Sequence, residues 1–137
     1  MFKLGTRSNQ RLVGVHDDLY KVVRRAIKLT SVDFTVLEGV RSVDRQRVLL
    51  ASGASQTMNS RHLTGHAVDL GAWVDGQVAW DWPLYFQIND AMMDAAAWLD
   101  VLLEWGGDWT HFKDGPHFQL PWKFYPVEPT PDEPIEA

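Results

Sequence analysis

The stretch SRHLTGHAVDL, residues 60–70, places two histidines and an aspartate within eight positions. All three side chain types bind metal ions. Strand parity discriminates among them. On one straight strand, His62 and Asp69 are separated by an odd spacing and would point to opposite faces. Thr64-Gly65 breaks the strand between them, so the chain can turn and bring both to one point. Beyond the break, alternation puts Asp69 on the face of Ala67, a small residue that leaves room, and puts His66 with Val68 and Leu70. His62 with Asp69 is therefore the better pair.

A catalytic metal site of this kind needs a third protein ligand and an open position, and the helical HExxH arrangement is absent. Three histidines remain. His16 lies in the amphipathic N-terminal region and reads as surface, His111 lies in a loop next to two acids, and His117 opens the apolar run HFQL. Asp114 precedes His117 by three residues across a Gly-Pro turn. A carboxylate so placed can stand beside the metal without binding it, as a general base requires. Spacing alone leaves the metal site as one reading among several, because a lone histidine is more often structural or surface.

Outward from this stretch, Leu19, Val22, Val23, Ala26 and Ile27 follow helical spacing and predict a helix over 17–29. Ser8 is a candidate cap for a shorter helix before it. DFTVLEGV reads as a strand, with Phe34, Val36 and Glu38 on one face, and its end delivers Arg41. Ser42 is a plausible N-cap for a helix over 43–52, closed by Gly53. Residues 54–61 are polar and irregular. HAVDLGAWV reads as a strand, Asp75-Gly76 as a hairpin turn and VAW as the returning strand. Pro83 suits the first turn of a long helix over 84–104, with Ile88, Met92, Ala95, Leu99 and Leu102 facing the core. WGGDW is a glycine-broken turn, and HFQL is a short final strand. Helices mixed with short hairpin-linked strands imply an α+β fold, an antiparallel sheet with flanking helices.

Composition narrows the function classes. The 137 residues suit one domain with a core, residues 1–125, followed by a proline- and acid-rich tail, residues 126–137, read as extended or flexible. The net charge of −5 argues against nucleic-acid binding. Absence of cysteine excludes cysteine-based zinc sites and cysteine nucleophiles. No segment reaches the roughly 20 apolar residues of a membrane span. The N-terminus lacks the apolar run of a secretory signal, so the expectation is synthesis in the cytoplasm.

SRHLTGHAVD resembles the S-x-H-x-x-G-x-A-x-D signature of the zinc DD-peptidase family, matching at Ser60, His62, Gly65, Ala67 and Asp69. DGPHFQL is similar to the family's second motif through Asp114 and His117. GVRS resembles the segment carrying the family's active-site arginine, here Arg41, and WGGDW its aromatic turn. The resemblance runs from the first helix to about Leu120. Aspartate rather than glutamate at 114, with the short chain, points to the phage endolysin branch that cuts L-alanyl-D-glutamate bonds in peptidoglycan.

The resemblance implies the small α+β fold shared by DD-peptidases and the Hedgehog signalling domain. It also implies one Zn²⁺ held by His62, Asp69 and His117, with Asp114 as general base to an activated water. Arg41 would stabilise charge on the carbonyl oxygen or bind a substrate carboxylate. Ser60 would bond near the substrate or simply shape the turn. Asp108 is a candidate to orient a metal-bound histidine, although a turn role after two glycines fits it better. The expected partner is the peptidoglycan stem peptide, met by a monomer that a holin lets through the membrane to act in the cell envelope. The rival readings are a D-Ala-D-Ala carboxypeptidase or dipeptidase, a non-enzymatic zinc-binding Hedgehog-like module, and an acidic binding protein without metal.

Overall fold

The structure is a computed structural model and describes residues 1–127; most of the expected tail lies outside them. Four helices and five strands follow in the order α1 (Thr6–Arg11), α2 (Asp17–Leu29), β1 (Phe34–Glu38), α3 (Val43–Ala51), β2 (Ala67–Val74), β3 (Gln77–Ala79), α4 (Trp82–Leu99), β4 (Glu104–Trp105) and β5 (His117–Gln119). The strands form one antiparallel sheet in the order β1-β2-β5-β4, with β3 also pairing to β2. This is the α+β architecture expected.

The sheet separates core from site. Directly opposed residues in an antiparallel pair share a face. Val36 opposes Leu70, Val68 opposes Phe118, and Phe118 opposes Trp105. These residues join one buried cluster with Leu19, Val22, Val23, Ala26 and Ile27 of α2 and Ile88, Met92 and Ala95 of α4. The two helices pack on each other and cover that face. On the other face Asp69 opposes His117, and Gln119 lies between Ala67 on one side and Glu104 on the other. The alternation of β2 thus sends Val68 and Leu70 to the core and Asp69 away from it, as its sequence pattern predicts.

The free edge of β1 is covered by α1. The Ser8 hydroxyl accepts from the Val36 N–H at 2.9 Å, and Arg11 donates to the Val36 carbonyl at 2.9 Å. Edge groups that would otherwise be open to another strand are satisfied within the chain. Ser8 is therefore buried inside α1 and does not cap it; Gly5 occupies the cap position.

Two further expectations are corrected. The long helix stops at Leu99, because Asp100 adopts a left-handed conformation (φ 58°) and the Val101 N–H returns to the Ala96 carbonyl, a Schellman-type stop. Leu102 is consequently exposed, and Glu104 is on a strand. The second correction concerns Glu38. A bulge between Val36 and Glu38 inserts one residue, so Glu38 opposes Asp69 and leaves the face of Phe34 and Val36.

Candidate metal centre and cleft

His62 sits on a 3-10 turn, Arg61–Thr64, which Ser60 caps by accepting from the His62 N–H at 3.2 Å. Ser60 thus shapes the turn, and it also lines the cleft. Gly65 ends the turn in a left-handed conformation (φ 76°), and a Cβ there would overlap the Gly14 carbonyl. Only glycine meets both demands. The reversal that brings His62 back toward Asp69 is thus a 3-10 turn closed by glycine.

Three ligand atoms converge. His62, Asp69 and His117 each offer one, all within 4.8 Å of one another. Asp69 Oδ1 lies 3.2 Å from His62 Nε2 and 3.1 Å from His117 Nδ1. The outward nitrogens are already engaged. His62 Nδ1 donates to the Gly39 carbonyl at 2.8 Å, and His117 Nε2 donates to Gln119 Oε1 at 2.7 Å. In the neutral imidazoles those bonds leave lone pairs facing a carboxylate oxygen, so three acceptors surround one point with no proton among them. A cation resolves that conflict, and two imidazoles with a carboxylate form a standard donor set for a divalent metal.

The electrostatics agree. Burial pushes the Asp69 carboxyl up, but the His117 and His62 rings beside it outweigh burial and hold the group well below the usual carboxylate range. Burial pushes His117 down, but Asp69 outweighs it, with help from Gln119 and Asp114, and raises it. Both directions describe a site that favours additional positive charge.

Asp114 lines the same cleft, a cavity of about 690 Å³ that also takes in Arg41, Arg45, Trp109 and Phe112. The turn carrying Asp114 packs on Gly106, whose carbonyl accepts the Asp114 N–H at 3.0 Å, and a Cβ on Gly106 would overlap the Asp114 carbonyl. Burial raises the Asp114 carboxyl and the Asp69 charge raises it further, while His117, His62 and Arg41 offset part of this. A carboxylate shifted toward neutrality is better matched to taking and returning a proton.

Arg41 is held on several sides. It donates to Glu38 and, at 2.8 Å, to Gln46, and one terminal nitrogen stands 3.7 Å from Asp69 Oδ2. The wholly buried Gln46 ties it to the 55–57 loop through Ser55 and the Thr57 carbonyl. Arg41 is therefore held beside Asp69 with little freedom. Arg45, half-exposed on the same cleft, has only Glu38 at 3.8 Å as an ion-pair partner among the described residues.

The other candidates do not join the three converging ligand atoms. His66 bonds Thr64 and packs beside His16 and Tyr125, and His16 caps α2 by accepting from the Asp18 N–H. His111 lines the cleft but is exposed. Asp108 is exposed and bonds neither imidazole, because Gly39 and Gln119 hold the outward nitrogens. Sequence reasoning missed Glu38, Gln46 and Gln119. It also missed Arg61, which is buried beneath Trp122 and fastens the chain after β5 through the Leu120 and Tyr125 carbonyls. An arginine set inside the SRHLTGHAVD motif beside His62 was the available signal for that last residue.

Two imidazoles, a carboxylate, a nearby acid of raised pKa and an anchored arginine in one cleft are the layout of a metal-dependent hydrolase. The family model of the phage L-alanyl-D-glutamate peptidases matches residues 1–120, and the chain belongs to that family. The L-alanyl-D-glutamate peptidase of Escherichia phage T5 is 34% identical over 112 residues, covering 79% of this chain and 82% of that protein. The crystal structure of the Serratia marcescens L-Ala D-Glu endopeptidase ChiX is 48% identical with a TM-score of 0.86, over 91% of this chain and 95% of that one. A mutant of the vancomycin-resistance D,D-pentapeptidase VanY, solved with Zn(II), shares the fold at 15% identity and a TM-score of 0.53, over 77% of this chain and 72% of that one.

Proposed function

We propose that this chain is a zinc peptidase of the endolysin type, which hydrolyses the L-alanyl-D-glutamate amide bond of peptidoglycan stem peptides. The observation that carries the reading is the convergence of three ligand atoms from His62, Asp69 and His117 on one point, with the outward imidazole nitrogens held by Gly39 and Gln119. Bound there, Zn²⁺ would act as a Lewis acid and make water a competent nucleophile near neutral pH. Asp114 takes the proton of the attacking water and passes it to the leaving amine as the C–N bond breaks. Arg41, anchored by Glu38 and Gln46 beside Asp69, stabilises the charge that develops on the carbonyl oxygen. That placement favours this role for Arg41 over holding a distant substrate carboxylate, for which the looser Arg45 is better situated.

The domain is residues 1–125, and it works as a monomer on the cell wall. Among the described residues no helix is long and apolar enough to cross a membrane. The deciding experiment is digestion of purified peptidoglycan, with products weighed by mass spectrometry in the presence and absence of a zinc chelator. Peptides freed at L-alanine, lost on chelation, are expected. Release of terminal D-alanine alone would instead establish a carboxypeptidase.

A further inference from the structure

Glu104 takes part in no step above, yet it stands one residue away from a metal ligand's partner. It opposes Gln119 across β4 and β5, and its Oε2 accepts from Gln119 Nε2 at 3.1 Å. The other end of that amide, Oε1, accepts from His117 Nε2 at 2.7 Å. Gln119 and His117 are both buried, at 7% and 6% exposure.

An amide is two-ended: one end donates and the other accepts. With its oxygen toward His117, Gln119 requires the imidazole proton on Nε2 and leaves the Nδ1 lone pair facing Asp69. With the amide reversed, the NH₂ group would meet Nε2, and the proton would have to move to Nδ1. The nitrogen that faces the metal position would then carry a hydrogen and could not ligate. Nothing in the amide's shape prefers one orientation. The carboxylate at Glu104 does, because it can only accept and so attracts the NH₂ end.

We propose that Glu104 is a positioning residue that sets the tautomer of His117 through the orientation of Gln119, and so keeps Nδ1 ready for the metal. His62 needs no such device. Its outward nitrogen donates to the Gly39 backbone carbonyl, which has only one polarity to offer.

The inference rests on the metal-site reading, and the two can fail separately. Three variants are compared with the wild type: Glu104→Gln, Glu104→Lys, and the double variant Glu104→Lys/Gln119→Glu. Two readouts are used. The first is the imidazole ¹⁵N pattern of His117 in chelator-treated protein, at a pH where the ring is neutral. The second is Zn²⁺ affinity against a chromophoric chelator. The wild type is expected to carry its proton on Nε2. Glu104→Gln lets either amide orientation find a partner, so the proton should move at least in part to Nδ1, where Asp69 Oδ1 stands 3.1 Å away as an acceptor. Glu104→Lys presents a donor, reverses the amide, moves the proton to Nδ1 and weakens Zn²⁺ binding by about 10–100-fold. In the double variant the carboxylate at 119 can only accept, so the Nε2 proton and most of the affinity return. A general loss of packing would not be rescued this way.

If His117 keeps its proton on Nε2 in both single variants, the proposal is wrong. Should Glu104→Lys fail to fold, the isosteric Glu104→Gln still decides it by tautomer alone. If the wild type takes up no Zn²⁺, the metal-site reading fails, while the ¹⁵N pattern still answers for Glu104.

Discussion

The two imidazoles of the centre face the same carboxylate oxygen but are held by different parts of the molecule. His62 is held by backbone. Its ring donates to the Gly39 carbonyl, and its own carbonyl accepts from the Arg41 N–H at 2.9 Å, so the turn and the end of β1 clasp each other. His117 is held by side chains, Gln119 and behind it Glu104. A backbone clasp cannot be reversed by rotating a side chain, and it moves only if the chain moves. A side-chain clasp is adjustable and therefore needs something to fix its direction. The first kind is sensitive to changes of shape, and the second to changes of hydrogen-bonding character.

Substitutions can break or sharpen this contrast. The largest effect should erase it: His62→Ala and His117→Ala each remove a proposed ligand, and both should lose bound zinc and peptidoglycan hydrolysis together, measured by metal analysis and digestion. Retention of stoichiometric zinc by either would overturn the ligand set. Next, Asp114→Ala belongs to neither clasp. It should keep zinc and lower kcat by about 10²–10⁴-fold; near-normal turnover would remove Asp114 from the role of base. The two clasps then separate. Gly39→Ala places a Cβ against the Arg11 carbonyl and Val15, an overpacking change that should cost about 1–3 kcal/mol in stability, read by denaturant unfolding. Gln119→Leu keeps the shape but leaves the His117 N–H unpaired. It should weaken Zn²⁺ binding by about 10–100-fold, with a smaller stability loss than Gly39→Ala. The reverse ordering would contradict the distinction drawn here. The smallest effect is the control: Tyr125→Phe removes the bond to Asp18 at 2.8 Å, costs about 0.5–1.5 kcal/mol, and should leave hydrolysis unchanged.

Much of the fold was legible before the structure. The residues of α2 were given by period, the hairpin turn by Asp75-Gly76 (both with positive φ), and the start of α3 by Ser42, which accepts from the Arg45 N–H. The errors share a cause. The end of α4 depends on Asp100 turning left-handed, and nothing in the spacing of Leu99 and Leu102 announces that. Glu38 was placed with Val36 because alternation was carried through a bulge that only the pairing with β2 reveals. Asp108, for which a turn role was favoured over orienting a histidine, does lie on the turn Gly106–Asp108, and the partners that hold the imidazoles, Gln119 and Gly39, are near in space rather than in sequence.

By itself, then, the sequence determined which residues can ligate and which can take a proton. Residue chemistry and the spacing of SRHLTGHAVD and DGPH are local properties that survive without knowledge of partners. Tertiary structure alone decided how those residues are aimed. The bulge that turns Glu38 toward Arg41, the pairing of Asp69 with His117 and the line from Glu104 through Gln119 are relations between strands. Register between distant segments is a property of the assembled sheet, because it depends on which residues oppose one another and not on what each residue is.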